Sequence, residues 1–207
     1  MKTMSTRSNN AVSYGQFGAT FVDRLRTYLV GLTIKRHVPR HSELNVLDLG
    51  CGYHAVYLRA MYPRLRAGVG IDFQVSEEAQ KIPRLHFVLD SIESALPRLP
   101  DEEFDAILFI SVLEHVSDGL SVLKDCHRIL KPGGLLMINV PTWLAKPVLE
   151  FSAFHLNTSP RGDMEDHKMY YDKRTLWPLL VRAGFKPSQI RLRYRNFRMT
   201  LFGLIGK

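Results

Sequence analysis

The 207-residue sequence predicts a single α/β domain built on a mostly parallel sheet, and three observations carry that prediction. Apolar strand-like runs alternate with helical patterns from residue 46 onward, which is βαβ rhythm. The runs at 104–110 (FDAILFI) and 135–140 (LLMINV) are almost continuously apolar, as strands buried on both faces are. The stretch 46–52, VLDLGCG, is a short apolar strand ending in an acid and two glycines, where a backbone without Cβ atoms can approach a ligand.

Taken in order, residues 17–37 carry Phe21, Leu25, Tyr28, Leu29 and Leu32 at helical spacing and predict an amphipathic helix covering the sheet or the site. Strands follow at 46–49, 67–72 and 86–89, with a helix near 53–61 and a loop and helix after the third strand. Then come the strand at 104–110, a helix near 118–130 and the strand at 135–140. The run Lys131-Pro132-Gly133-Gly134 predicts a turn, because proline presets φ and glycine accepts positive φ. A further helix is expected with Thr175 as its N-cap, Pro178 in its first turn and Gly184 at its end. Alternation of Ile190, Leu192 and Tyr194 with arginines, then the apolar run 199–205, predicts a terminal strand pair.

This gives one domain with four parts: a helical lead-in over 1–40, a core over 44–140, a lid over 141–171, and a C-terminal helix and strand pair over 172–207. The lid reading rests on a long aperiodic stretch holding Trp143, His155, His167, Tyr170 and Tyr171, a length that loops reach mainly when functional. No repeat or linker marks a second domain.

Composition narrows the classes. Hydrophobic content of 45% with 23% charged residues is that of a soluble globular chain, and no apolar run reaches the roughly 20 residues of a membrane span. The polar N-terminus lacks the apolar centre of a secretory signal, and two cysteines, Cys51 and Cys126, suit a reducing cytoplasm without a disulfide. The net charge of +8 is uneven: residues 1–40 carry 7 basic and 1 acidic, residues 41–160 carry 10 and 15, and residues 161–207 carry 11 and 4. Basic ends attract an anionic substrate, a membrane surface or nucleic acid, or serve as a solvated face.

The glycine loop alone fits two cofactors. Residues 50–55 match the dinucleotide pattern GxGxxA, and Asp72 follows Gly52 by 20 residues, where an acid binds a ribose. Asp48 separates the two, since a carboxylate at the strand tip repels a pyrophosphate and suits the ammonium and sulfonium of S-adenosylmethionine. Asp90, ending the third strand, is placed to accept from an adenine amine.

With VLDLGCG, Asp72, Asp90, the run FDAILFISVLEHV at 104–116 and RILKPGG at 128–134, the chain resembles class I S-adenosylmethionine-dependent methyltransferases acting on small molecules. The resemblance is good over about residues 44–140 and loose elsewhere. It implies a Rossmann-like seven-stranded sheet with helices on both faces and one reversed terminal strand, and S-adenosylmethionine as cofactor. It implies Asp48, Gly50 and Gly52 at the methionine end, Asp72 at the ribose, Asp90 at the adenine, and Phe73 and Ser91 flanking the base. Ile110, Ser111 and His115 would border the methionine and the acceptor pocket. His54 stands where many members carry a third glycine, which makes it a neighbour of the site.

The expected chemistry is methyl transfer to an oxygen or nitrogen of a small acceptor, with His167 or His115 as general base where the acceptor is a hydroxyl. The 140–185 region resembles bacterial enzymes of surface-glycan or secondary biosynthesis, which points to a sugar or glycan precursor. Contact with a membrane surface stays open. An RNA methyltransferase would use the basic ends, but 110–115 reads ISVLEH rather than an Asn/Asp-Pro-Pro-aromatic run. A cofactor-binding protein without catalysis is the other alternative.

Overall fold

The computed structural model describes residues 21–38, 43–146 and 169–207, with backbone alone for 21–27. The lid histidines His155 and His167 therefore lie outside the described residues, as does most of the 141–171 stretch.

Seven strands form one sheet: β1 Leu44–Leu49, β2 Leu65–Asp72, β3 Leu85–Leu89, β4 Phe104–Ile110, β5 Leu130–Pro141, β6 Ile190–Arg195 and β7 Thr200–Gly206. Their spatial order is β3-β2-β1-β4-β5-β7-β6. β1 to β5 pair in parallel, and β7 is antiparallel to both β5 and β6, so β7 is the one strand running against the others. The chain order reverses between β1 and β4, which opens a crevice at the carboxyl ends of the strands there.

Period-two alternation sends Leu47, Leu49, Ile107 and Phe109 to one face and Val46, Ala106 and Leu108 to the other. The first face packs against α5 (Gly119–Ile129) and α6 (Lys173–Arg182), through Leu123, Cys126, Leu176 and Leu180. The second packs against Ile34 of α1 (Phe21–His37), Val38 just beyond it, and Leu58 and Met61 of α2 (Val56–Met61). Each fully buried Leu or Ile contributes about 1.5–3 kcal/mol, so these two cores fix where the strand tips sit. The single-turn helices α3 (Glu77–Gln80) and α4 (Ile92–Ala95) follow β2 and β3.

Three local expectations change. The stripe expected on α1 to cover the sheet or the site does not meet the sheet where it is described: Tyr28, Leu29 and Leu32 are exposed. The helix meets the sheet instead through Val30, Ile34 and Val38, because Arg195 and Arg64 anchor its C-terminal half, donating to Thr33 Oγ1 at 2.8 Å and to the Lys35 carbonyl at 3.1 Å. The N-cap of α6 is Asp172, not Thr175; Thr175 is its partner in a reciprocal capping box. Pro178 then falls inside the helix, tolerated on its exposed side, where water reaches the carbonyl it leaves unpaired. Gly184 does end the helix, at φ 110°. Finally, the 131–134 turn is absorbed into β5 as an irregularity: Phe104 pairs with Leu130 and Ala106 with Leu135, with Gly133 at φ 79°. Both cysteines are buried and free.

Candidate functional site

The loop after β1 turns on two left-handed glycines, Gly50 at φ 68° and Gly52 at φ 73°. The N–H of Gly50 donates to the Ile71 carbonyl at 2.8 Å, so the loop is pinned to the end of β2. A Cβ on Gly50 would lie 2.4 Å from Cγ2 of Val112, which follows β4. Glycine is needed there on two counts, dihedral and space. The third left-handed residue of the loop is Ala55, at φ 46°, and it caps α2. His54 has an ordinary φ and an exposed side chain set edge-on against Tyr53, so a glycine at 54 has no dihedral task here.

Asp48 sits one residue before the end of β1, between Gly70 of β2 and Leu108 of β4. Its side chain is 1% exposed, and neither carboxylate oxygen has a hydrogen-bond partner among the described residues. Burial, reinforced by the charge of Asp72, pushes its carboxyl well above the ordinary range. An unpartnered buried carboxylate is costly to ionise unless a cation comes beside it. That is the electrostatic requirement of a site for an ammonium or sulfonium, and the residues present fit such a group. Burial and the same two acids push the Cys51 thiol up, so it is not a nucleophile at neutral pH.

Asp72, at the tip of β2, accepts from the Gly52 N–H and the Phe73 N–H, each at 2.8 Å. Phe73 itself is exposed beside it. Asp90, just past β3, is engaged in a cap: it accepts from the Ser91 N–H at 2.7 Å and the Ser94 hydroxyl at 3.0 Å, and pairs with Arg98. Those three contacts hold its carboxyl below the usual range. Ser91 is the N-cap of α4, its hydroxyl accepting from Ser94 N–H at 3.2 Å. After β4, Ile110 is buried, while Ser111 adopts φ 57° and donates its N–H to the Asn139 carbonyl at 2.7 Å. His115 closes a short 3-10 turn and is half-buried next to the buried Glu114. Asp48, Gly50, Gly52 and Asp72 thus form one connected unit. Ile110, Ser111 and His115 lie along the other bank of the crevice, and Asp90 with Ser91 lies two strands from β1.

Sequence reasoning missed two supports. Val112 fixes the Gly50 turn, and Asn139 on β5 holds Ser111; neither residue type signals such a role. After β5, two of the aromatic residues expected in the lid come together, Trp143 and Tyr170 with ring centroids 5.3 Å apart, and the Lys146 ammonium is 5.9 Å from the indole.

Comparisons with known proteins agree with this geometry. The methyltransferase-domain family matches residues 21–190, and the chain belongs to that family. The chain is 31% identical over 160 residues to the ubiquinone biosynthesis O-methyltransferase of Thiobacillus denitrificans, covering 70% of this chain and 66% of that protein. It is 32% identical over 124 residues to the same-named protein of Idiomarina loihiensis, covering 54% and 50%. The chain thus spans about half to two thirds of these relatives. In fold it is similar to a SAM-dependent methyltransferase from Archaeoglobus fulgidus, with TM-score 0.64, 17% identity, and 90% and 98% of the two chains covered. The [4+2]-cyclase SpnF shares the fold as well, at TM-score 0.62 and 21% identity, covering 93% and 65%. S-adenosylmethionine is the cofactor that this family and fold imply.

Proposed function

We propose that the chain catalyses transfer of a methyl group from S-adenosylmethionine to a hydroxyl oxygen of a small-molecule acceptor. The observation that carries the reading is Asp48, a buried carboxylate without a hydrogen-bond partner beneath a glycine turn. The O-methyltransferase names of the relatives support oxygen as the acceptor atom.

The cofactor supplies an electrophilic methyl on a sulfonium whose thioether is already a good leaving group. The protein's share is orientation, exclusion of water and removal of one proton. Asp48 holds the cationic methionine end, and Gly50 and Gly52 let the backbone come close. Asp72 meets the ribose hydroxyls, with Phe73 beside the base. Asp90 and Ser91 close the adenine end through the cap they share. Ile110 and Ser111 line the opposite bank. His115 is the general base among the described residues, and His167 is its rival.

The acceptor is a hydroxylated ring. Trp143, exposed and packed against the buried Tyr170, provides a face on which an aromatic ring or the C–H face of a sugar stacks, and Lys146 beside the indole favours an acidic substituent. A sugar or glycan precursor and a phenolic ring both meet that description. Incubation with methyl-labelled S-adenosylmethionine and a panel of phenolic and sugar acceptors tests it. Label in a ring hydroxyl of one panel member is the expected result; label in RNA alone, or in no acceptor despite cofactor binding, overturns it.

A further inference from the structure

The turn joining β6 to β7 presents a side chain the fold does not use. Phe197 is 94% exposed, and it lies in a run of three left-handed residues, Asn196 at φ 50°, Phe197 at φ 53° and Arg198 at φ 69°. A bulky residue in that region is strained, and a ring held out in water gains nothing from folding. The tip lies at the carboxyl edge of the sheet, the edge of the crevice, because β7 opens opposite the end of β5, with Thr200 against Pro141. Thr142 fastens it there, donating its N–H to Met199 and its hydroxyl to the Arg198 carbonyl at 3.0 and 2.7 Å.

Two further apolar groups flank the tip. Arg195, ending β6, reaches Thr33 of α1, so the outward residues Tyr28, Leu29 and Leu32, at 62%, 53% and 46% exposure, stand beside the hairpin. Trp143 and Leu144, both exposed, follow β5 on the same edge. The hairpin itself is cationic: Arg193, Arg195 and Arg198 are exposed toward its tip, with Arg191 exposed at the far end of β6.

We propose that this edge docks on an anionic lipid surface, with Phe197 and the α1 residues entering the headgroup boundary and the arginines meeting lipid phosphates. Charge complementarity selects this occupant. A second copy of the chain would bring the same positive face against itself. Nucleic acid would use the arginines but gains little from the aliphatic Leu29 and Leu32. Docking by this edge turns the crevice toward the bilayer, where a membrane-dissolved acceptor is presented to it; the docking itself does not depend on the acceptor's identity.

Flotation with vesicles tests it, comparing equal parts phosphatidylglycerol and phosphatidylcholine with phosphatidylcholine alone. The wild type is expected to float with the anionic vesicles only and to be released by raised salt. The double variant Leu29→Ser with Phe197→Ser should bind about tenfold more weakly, with its thermal midpoint and cofactor affinity unchanged. Trp177→Ser, an exposed indole on α6, serves as the control that binds like wild type. Absence of flotation, equal flotation by the double variant, or a vesicle-free dimer that the double variant dissolves overturns the proposal.

Discussion

The carboxylate of Asp72 accepts the N–H of Gly52 at 2.8 Å, joining the tip of β2 to the glycine turn after β1. The acid placed at a ribose by sequence spacing is therefore also the brace of the loop beside it. Because its second oxygen takes the Phe73 N–H, Asp72→Ala strands two backbone donors, a loss of about 1–3 kcal/mol that solvent access keeps toward the lower end. Asp72→Asn keeps one acceptor oxygen and should lose less. Urea denaturation of the two variants ranks them, and a larger loss in the Asn variant contradicts this bracing role.

Gly50→Ala meets both a positive φ and Val112 at 2.4 Å. The expected cost is about 2–4 kcal/mol, with cofactor affinity falling in parallel. Adding Val112→Ala should return the part due to the clash and leave the dihedral part, so that the double variant lies between Gly50→Ala and wild type in denaturation midpoint.

Asp48 gives the cofactor-free protein a distinctive pH dependence. Its folded-state carboxyl keeps its proton to higher pH than the unfolded chain's, whose ordinary value is 3.8. As pH rises above that value the unfolded chain loses the proton first, so stability falls toward the folded-state value. Asp48→Asn removes this decline, and at neutral pH the variant without cofactor should be the more stable protein. Paired urea melts across pH measure the difference; parallel profiles would show that burial does not perturb Asp48.

The base role proposed for His115 is separable from that of its neighbours. His115→Ala should lower turnover about 100-fold while cofactor affinity holds. Tyr171 is buried close to Glu114, and burial with that charge pushes its phenol up to about 12, so it is no base at neutral pH. Tyr171→Phe should leave the pH profile of kcat in place. Single-turnover rates against pH read both variants, and full activity in His115→Ala transfers the role to His167.

Much of the sheet was legible because its signal is redundant. β1, β4 and β5 are apolar on both faces, and the turns between them carry glycine or proline, so no alternative element competes. The pair Asp48 and Gly50 was readable for the same reason, an acid and a glycine at a strand tip having few structural uses. α1 misled because its stripe at Tyr28, Leu29 and Leu32 has helical spacing, yet spacing does not say which face the sheet receives; Arg195 and Arg64 decide that from far along the chain. The cap of α6 was displaced because Asp172 and Thr175 are both cap formers, and only their reciprocal bonding shows which begins the helix. Val112 and Asn139 could not be found beforehand, since one acts through shape and the other through its backbone carbonyl.

The central claim is that the partnerless carboxylate of Asp48 selects a cationic cofactor, and calorimetric titration with S-adenosylmethionine tests it most directly. In buffers of different ionisation enthalpy, the wild type should bind with release of a proton, as Asp48 ionises beside the incoming charge. Asp48→Asn should bind at least about tenfold more weakly and release none. Equal affinity in the two proteins, or binding without proton release in the wild type, would contradict the account.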